Sequence, residues 1–238
     1  MAVVADADRS VNDVDTFGSG ATERAAPEVV LFDLDGTLTD SADGIVACFR
    51  RALAAVDAEV PAGDLESLIV GPPMDETFHS LGLGKRADEA FRAFRAEYGD
   101  TGWAMNSVYD GIPELLADLR ARGVRLAVAT SKLEPTARRI LAHFGLDDHF
   151  EVIAGACPDG TRKEKADVIA YALAQLAPYS ERIMMVGDRK HDVEGAALHG
   201  IDTVVVGWGY GHTDFPQPTA DGVTHVSTAD ELRTALGV

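Results

Sequence analysis

Asp33 and Asp35 are two carboxylates spaced two residues apart, and an apolar run over residues 29–32 directly precedes them. An apolar run of this length predicts a buried strand, so we expect both acids at a strand end. Neighbouring negative charges in such a place repel each other and are costly to bury unless a cation or a chemical task holds them there. Gly36 follows and permits a sharp turn. The spacing therefore indicates a cation site or a catalytic pair.

Residues 33–41 read D-x-D-G-T-L-x-D-S, which resembles the first signature of the haloacid dehalogenase-like hydrolases. The resemblance implies a phosphatase that depends on Mg²⁺. In such an enzyme Asp33 is the nucleophile and forms an aspartyl-phosphate. Asp35 is expected to protonate the leaving alcohol and later to activate water, with Gly36 beside the phosphate.

Thr130 ends a second apolar run and resembles the hydroxyl residue of the second motif of this family, which binds a phosphoryl oxygen. We expect the backbone N–H groups of Ser131 and Lys132 to contribute to the phosphate site from the start of the next helix. The sequence thus predicts a phosphate-binding set made of Gly36, Thr130, Ser131 and a lysine.

Residues 187–192 resemble the G-D-x-x-x-D motif of the same family. The resemblance implies that Asp188 binds a cation together with a carboxylate oxygen of Asp33 and the backbone carbonyl of Asp35. Hard oxygen ligands of this kind suit Mg²⁺. Asp192 lies one helical turn further and is expected to support the same metal site, although capping of the helix is an alternative role for it.

The third motif of the family is a lysine, and both Lys163 and Lys165 qualify by position. Thr161 and Glu164 have the spacing of a capping box, so the sequence predicts a helix that begins at Thr161. On that helix Lys165 shares a face with the apolar residues between positions 168 and 176, which should pack on the sheet. We therefore expect Lys165 in the pocket and Lys163 in solvent.

These residues require elements that bring strand ends together. Apolar runs at 29–34, 124–130, 150–154, 183–187 and 203–206 predict strands, and they alternate with predicted helices at 112–122, 135–144, 164–176 and 192–199. Such alternation favours an α/β fold with a Rossmann-like parallel sheet and helices on both faces. Ligands of these sheets bind at the carboxyl ends of the strands.

Residues 41–107 contain helical patterns, 45–56 and 86–98, and no convincing strand. This segment resembles the small helical cap domain of the family, inserted into a catalytic core of residues 28–40 and 108–238. Residues 1–27 have the composition of a disordered acidic tail. The cap is expected to contact substrate through a set of residues from its helices and its Gly-Pro-Pro loop: Arg50, Arg51, Gly71, Met74 and Phe78.

Within the family the chain resembles the phosphoglycolate phosphatase branch, and residues 159–162 resemble a 5′-nucleotidase-like subgroup. Dehalogenases of this family lack the second acid of the first motif, so the presence of Asp35 disfavours dehalogenation. Members that cleave phosphonates use a lysine on the first cap helix, and the one lysine of the cap, Lys85, lies outside that helix. A phosphomutase of the β-phosphoglucomutase type stays open because it uses the same motifs. A phospho-receiver and an inactive binding protein are the alternatives from other functional classes.

The formal net charge of −18 disfavours nucleic acid and anionic membranes as partners. We expect a small phosphorylated metabolite as substrate and a monomer or homodimer as the assembly. Cys48 and Cys157 are far apart and do not have metal-binding spacing, which is typical of a reducing compartment. With neither a signal sequence nor a membrane-spanning run, the expected location is the cytoplasm.

Overall fold

The computed structural model describes residues 26–70, 73–211, 214–215 and 222–238. Residues 1–25 of the predicted tail and Gly71 of the predicted cap loop lie outside these ranges. The strands are β1 Val29–Phe32, β2 Thr39–Asp40, β3 Ser107–Val108, β4 Arg125–Leu133, β5 Val152–Ala156, β6 Ile183–Gly187, β7 Asp202–Val206 and β8 Val223–Val226. The α-helices are α1 Ala42–Ala55, α2 Leu65–Ile69, α3 Met74–Ser80, α4 Ala87–Asp100, α5 Ile112–Ala121, α6 Glu134–His143, α7 Lys165–Leu176, α8 Lys190–Ala197 and α9 Ala229–Leu236.

Six strands form one parallel sheet in the order β5-β4-β1-β6-β7-β8. Strand β1 is central and is buried along its whole length, because helices cover both faces of the sheet. Its side chains alternate: Val30 and Phe32 pack in the cluster that contains α5 and α9, and Val29 and Leu31 pack in the cluster that contains α7. The predicted parallel α/β architecture is confirmed.

Helices α1 to α4 form a cap inserted between β2 and β3. These two short strands pair antiparallel, Thr39 with Val108 and Asp40 with Ser107, so the two connections to the cap lie side by side. The cap has a hydrophobic cluster of its own, in which Phe78 stacks on Phe49 with ring centroids 4.9 Å apart. The helical cap expected after the first strand is therefore present.

Several predicted bounds differ from those in the structure. Strand β4 continues to Leu133, so the residues after Thr130 belong to an extended segment with a register shift and not to a helix start. Strand β8 and helix α9 were not predicted. The signal for α9 was available, because Thr228 and Glu231 have capping-box spacing and the Thr228 hydroxyl accepts the N–H of Glu231 at 3.2 Å.

Along the part of the chain that the structure describes, none of the helices combines the length and the apolar character needed to cross a bilayer.

Candidate active site

The predicted site residues come together where the three central strands end. Asp33 directly follows β1, Thr130 lies in the neighbouring β4, and Asp188 directly follows β6 on the other side. Lys165 opens helix α7 and reaches the same place. All four side chains are buried, so the site lies inside the protein at the carboxyl edge of the sheet.

The Lys165 ammonium holds this group together. Its Nζ donates to Asp33 Oδ1 at 2.8 Å and to the carbonyl of Ala129 at 2.9 Å, and it lies 2.7 Å from Asp192 Oδ1. The side chain is only 4% exposed. Burial alone would lower the pKa of Lys165, but the Asp192 and Asp33 carboxylates outweigh it and raise the pKa above its ordinary value. Lys165 is therefore charged and fixes one oxygen of Asp33.

The Asp188 carboxylate has hydrogen-bond donors but no ion pair with a lysine or arginine of the described residues. Its Oδ2 accepts the backbone N–H of Tyr210 at 2.7 Å, and its Oδ1 lies 3.5 Å from the Thr37 hydroxyl. No lysine or arginine among the described residues forms an ion pair with it. Burial, together with the charges of Asp192 and Asp33, raises the pKa of Asp188 well above its usual range. Among the described residues, Lys165 is thus the one cation that forms ion pairs with the three acids Asp33, Asp188 and Asp192, and it pairs with two of them.

A cation fits this charge. Asp33, Asp188 and Asp192 are buried and each offers one carboxylate oxygen, all within 4.8 Å of one another. Gly36 has φ +82°, and a Cβ there would overlap the Asp188 carboxylate. The first motif can therefore approach Asp188 this closely because Gly36 has no side chain.

Asp192 uses both of its carboxylate oxygens within the protein. Oδ2 accepts the backbone N–H groups of Asp188 and Arg189 at 3.1 and 3.0 Å, and Oδ1 faces the Lys165 ammonium. The capping alternative is therefore realised at the start of α8. The same contacts connect Asp192 to the backbone of Asp188 and to the ammonium of Lys165.

Asp35 has a partner that the sequence did not indicate. Lys132 Nζ lies 2.9 Å from Asp35 Oδ2 and donates to the hydroxyl of Tyr98, on cap helix α4, at 2.7 Å. From the sequence, only the backbone N–H of Lys132 was expected at the site. The available signal was a charged residue two positions after Thr130, near the site end of the same strand, because a buried ammonium needs a partner.

Thr130 is buried at the end of the regular part of β4, and its hydroxyl oxygen accepts the backbone N–H of Lys132 at 3.2 Å. The hydroxyl proton of Thr130 stays available for another acceptor. The side chain of Ser131 is exposed. Helix α6 begins at Glu134, so the prediction that Ser131 and Lys132 lie at the start of the next helix is wrong.

The two candidate lysines occupy different surroundings. Lys163 is exposed and pairs with Glu76 of the cap at 2.5 Å, whereas Lys165 is buried. The prediction that their helix begins at Thr161 is wrong, because α7 begins at Lys165. The Thr161 hydroxyl donates to Asp159 Oδ1 at 2.7 Å, so the preceding turn uses the group that was expected to cap the helix.

The cap residues predicted to contact substrate are mostly directed elsewhere. Phe78 is fully buried in the cap cluster, which corrects the prediction that its ring meets a substrate. Arg51 is 61% exposed and pairs with Glu97, and Arg50 is also exposed. Met74 is half-buried at the start of α3 and packs against the cap cluster. Gly71 lies outside the described residues.

Two further residues join the core to the cap, and the sequence argument did not select them. Arg189 is buried, donates through Nε to Asp214 at 2.6 Å and also donates to the carbonyl of Val70 in the cap. The Tyr210 hydroxyl donates to Asp40 at 2.7 Å and accepts the N–H of Ser41, where the chain enters the cap, at 2.8 Å. The position of Arg189 between the two motif acids was the one sequence signal for either residue.

Known proteins resemble the chain in both sequence and structure. A model of the haloacid dehalogenase-like hydrolases matches residues 30–206. The chain is 66% identical to the tyrosine-protein kinase PtkA of Mycobacterium tuberculosis, over 90% of this chain and 74% of PtkA. A solved structure of PtkA superposes with a TM-score of 0.81, covering 90% of this chain and 99% of that one.

Relatives named as phosphatases are also similar. A 5′-nucleotidase of Pseudomonas aeruginosa is 43% identical over 78% of this chain and 85% of that protein. A phosphoglycolate phosphatase of Rhodospirillum rubrum is 34% identical over 77% of this chain and 81% of that protein.

Proposed function

The chain belongs to the haloacid dehalogenase-like hydrolases and is a phosphatase of that family, and we propose that it hydrolyses a small phosphomonoester with Mg²⁺ through an aspartyl-phosphate on Asp33. Family membership removes the phospho-receiver alternative, and every motif acid is present, which disfavours an inactive binding protein. The observation that carries the proposal is the buried Asp33 carboxylate, with one oxygen held by Lys165 and with Asp188 beside it.

Asp33 and Asp188 would hold the Mg²⁺ ion, with the backbone carbonyl of Asp35 as a further ligand and Asp192 orienting the loop. The uncompensated charge on Asp188 and the close approach of Gly36 fit a small divalent cation. When bound, the ion would neutralise the negative charge of the phosphoryl oxygens.

The side chains of the site would divide the reaction between them. In the first step an oxygen of Asp33 attacks phosphorus, the bond from phosphorus to the leaving oxygen breaks, and Asp35 protonates that oxygen. In the second step Asp35 takes a proton from water, the water oxygen attacks phosphorus, and inorganic phosphate leaves Asp33. Lys165 and the Thr130 hydroxyl would hold phosphoryl oxygens in both steps.

We propose a substrate class from the names of the relatives, because the described cap residues do not identify one molecule. The names of the 5′-nucleotidase and phosphoglycolate phosphatase relatives support a nucleoside monophosphate or a small phosphorylated acid. The decisive experiment is a release assay for inorganic phosphate with Mg²⁺, in which nucleoside monophosphates, phosphoglycolate and sugar phosphates are compared. The proposal predicts turnover of at least one of these compounds, and the Asp33→Asn variant should lose it.

The similarity to PtkA supports a second candidate function, transfer of the phosphoryl group from Asp33 to a tyrosyl hydroxyl instead of to water. The chain has five lysines, and none of them is followed by Ser or Thr, so a P-loop for nucleoside triphosphates is absent from the sequence. ATP labelled at its γ-phosphate and a tyrosine-containing peptide separate the two functions. Label on the peptide favours transfer, and label in free phosphate alone favours hydrolysis.

A further inference from the structure

Lys132 joins the proton-transfer residue to the cap. Its Nζ lies 2.9 Å from Asp35 Oδ2 in the core and donates to the Tyr98 hydroxyl in the cap at 2.7 Å. The ammonium also lies 4.6 Å from the centroid of the Tyr98 ring, and the Lys132 side chain is only 9% exposed. A buried ammonium requires acceptors on several sides. In this protein the core and the cap supply them together.

The two oxygens of Asp35 are in different situations. Oδ2 is held by Lys132, whereas Oδ1 is buried and has no hydrogen-bond partner in the part of the chain that the structure covers. A carboxylate whose one oxygen is anchored presents the other in a defined direction. Oδ1 is therefore the oxygen of Asp35 that no described residue occupies.

Tyr98 is itself held firmly within the cap. Its ring stacks on Phe94 with centroids 5.5 Å apart and belongs to the hydrophobic cluster of the cap. The Tyr98 hydroxyl therefore moves with helix α4. Withdrawal of α4 would deprive the Lys132 ammonium of one of its two side-chain partners.

We propose that Lys132 is a positioning residue, which anchors Asp35 Oδ2 so that Oδ1 exchanges the proton, and which does so fully only while Tyr98 of the cap is in place. The inference rests on the proposed function because it takes Asp35 as the acid and base. Lys132 would act through Asp35 and would not contact the phosphoryl group.

Substrates with different leaving groups test this role. Departure of an alkoxide needs a proton from Asp35, whereas p-nitrophenolate departs with little help. We expect Lys132→Met to slow single-turnover cleavage of an alkyl phosphate by about 10–100-fold, within the range of general acid catalysis. Release of p-nitrophenolate in the first turnover should change less than about threefold. Equal losses with both substrates would overturn the proposal, because a merely structural lysine would affect both alike.

A double variant tests whether the effect passes through Asp35. Lys132→Met should cost less than about twofold more in an Asp35→Asn background, because there is no longer a carboxyl proton to direct. Additive losses would contradict the proposal. Failure of Asp33→Asn to abolish turnover would instead refute the proposed function, so the two failures are distinguishable.

Two matched variants complete the experiment. Lys85→Met makes the same change at an exposed cap position and should leave both substrates unaffected. Tyr98→Phe keeps the ring and removes the hydroxyl, so it should give a smaller loss, again confined to the alkyl phosphate. Tyr98→Phe also carries the test if Lys132→Met fails to fold, and an unchanged alkyl phosphate rate in Tyr98→Phe would refute the coupling to the cap.

Discussion

The site has a floor, formed by Asp33, Lys165, Asp188 and Asp192, and a helical cap, and the two are built in different ways. The floor collects charged side chains from several strand ends, and Lys165 binds two carboxylates that come from distant parts of the chain. The cap is an aromatic cluster centred on Phe78, and it meets the core through a few polar contacts such as that of Lys132 with Tyr98. Substitutions in the floor should therefore affect chemistry, and substitutions in the cap, apart from the Tyr98 hydroxyl that contacts Lys132, should affect stability and substrate access.

Asp33→Asn should give the largest effect of any single change in the floor. The variant removes the proposed nucleophile and one proposed carboxylate ligand while keeping the side-chain volume, so turnover should fall by more than about a hundredfold. The melting temperature should stay close to that of the wild type. Residual turnover above about a hundredth of the wild-type rate would contradict the role of Asp33.

Lys165→Met should come next, with a loss of turnover of about a hundredfold or more, because Asp33 would lose the ammonium that holds it. Lys163→Met is the matched control two residues earlier. It lies in solvent and should change turnover less than about threefold. Steady-state kinetics on the same substrate measures both, and the reverse order of effects would show that the assignment of the pocket lysine is wrong.

Phe78→Ala should lower stability and leave the reaction rate unchanged, which is the opposite of what is expected for Asp33→Asn. Truncation of a fully buried phenylalanine typically costs about 3–5 kcal/mol of unfolding free energy. The melting temperature should fall clearly, while the variant that stays folded retains its rate with p-nitrophenyl phosphate. Denaturant unfolding and the rate with p-nitrophenyl phosphate are both measured on this variant. A fall in that rate without a fall in the free energy of unfolding would contradict the contrast between cap and floor.

The free energy of unfolding should depend on pH through the buried carboxylates Asp188 and Asp192. The pKa values of Asp188 and Asp192 are raised above 3.8 by burial first, and by neighbouring carboxylates. Above about pH 4 these two carboxyls bind more protons in the folded metal-free protein than in the unfolded chain, so their contribution to the free energy of unfolding falls as the pH rises. Added Mg²⁺ should therefore raise the melting temperature more at about pH 7 than at about pH 4.5.

Thermal unfolding with and without Mg²⁺ at the two pH values checks this expectation. Asp188→Asn is the control variant and should respond less to the metal. A metal-induced shift that is the same at both pH values would argue against a buried, uncompensated carboxylate.

Glu76→Gln should have the smallest effect of the series. The ion pair of Glu76 with Lys163 joins the cap to the core, but the two side chains are 60% and 45% exposed. Exposed pairs of this kind contribute about 0–1 kcal/mol and are screened by salt. We expect a change in KM of less than about threefold at low salt and none at high salt. A larger change would show that this contact controls the position of the cap.

The parts of the molecule that were predicted correctly are those that local sequence determines. The acids of the first motif follow an apolar run and precede Gly36, so their position needs no knowledge of distant residues. The partner of Asp35 was missed because Lys132 lies in another strand, and its side chain could have turned to several acids. Pairings of this kind depend on the assembled sheet and cap.

Two Thr-x-x-Glu sequences, at Thr228 and at Thr161, show when capping-box spacing does and does not predict a capped helix. Thr228 caps a helix with Glu231 three residues later, as the pattern indicates. Thr161 and Glu164 have that pattern too, yet the Thr161 hydroxyl and N–H both donate to Asp159. An acid two residues upstream competes for the threonine, and a capping pattern is therefore informative only when such a competitor is absent.

The glycines around Asp188 have a consequence for which ions the protein can discriminate. Besides Gly36, a Cβ at Gly209 or Gly211 would also overlap Asp188, so main chain walls this residue on several sides. Backbone atoms, unlike a flexible side chain, cannot rotate away to make room for a larger ion. Mg²⁺ binds oxygen at about 2.0–2.1 Å in a strict octahedron, whereas Ca²⁺ needs about 2.3–2.6 Å and more ligands. At the proposed metal site, this close approach of the main chain would favour Mg²⁺ over the larger Ca²⁺.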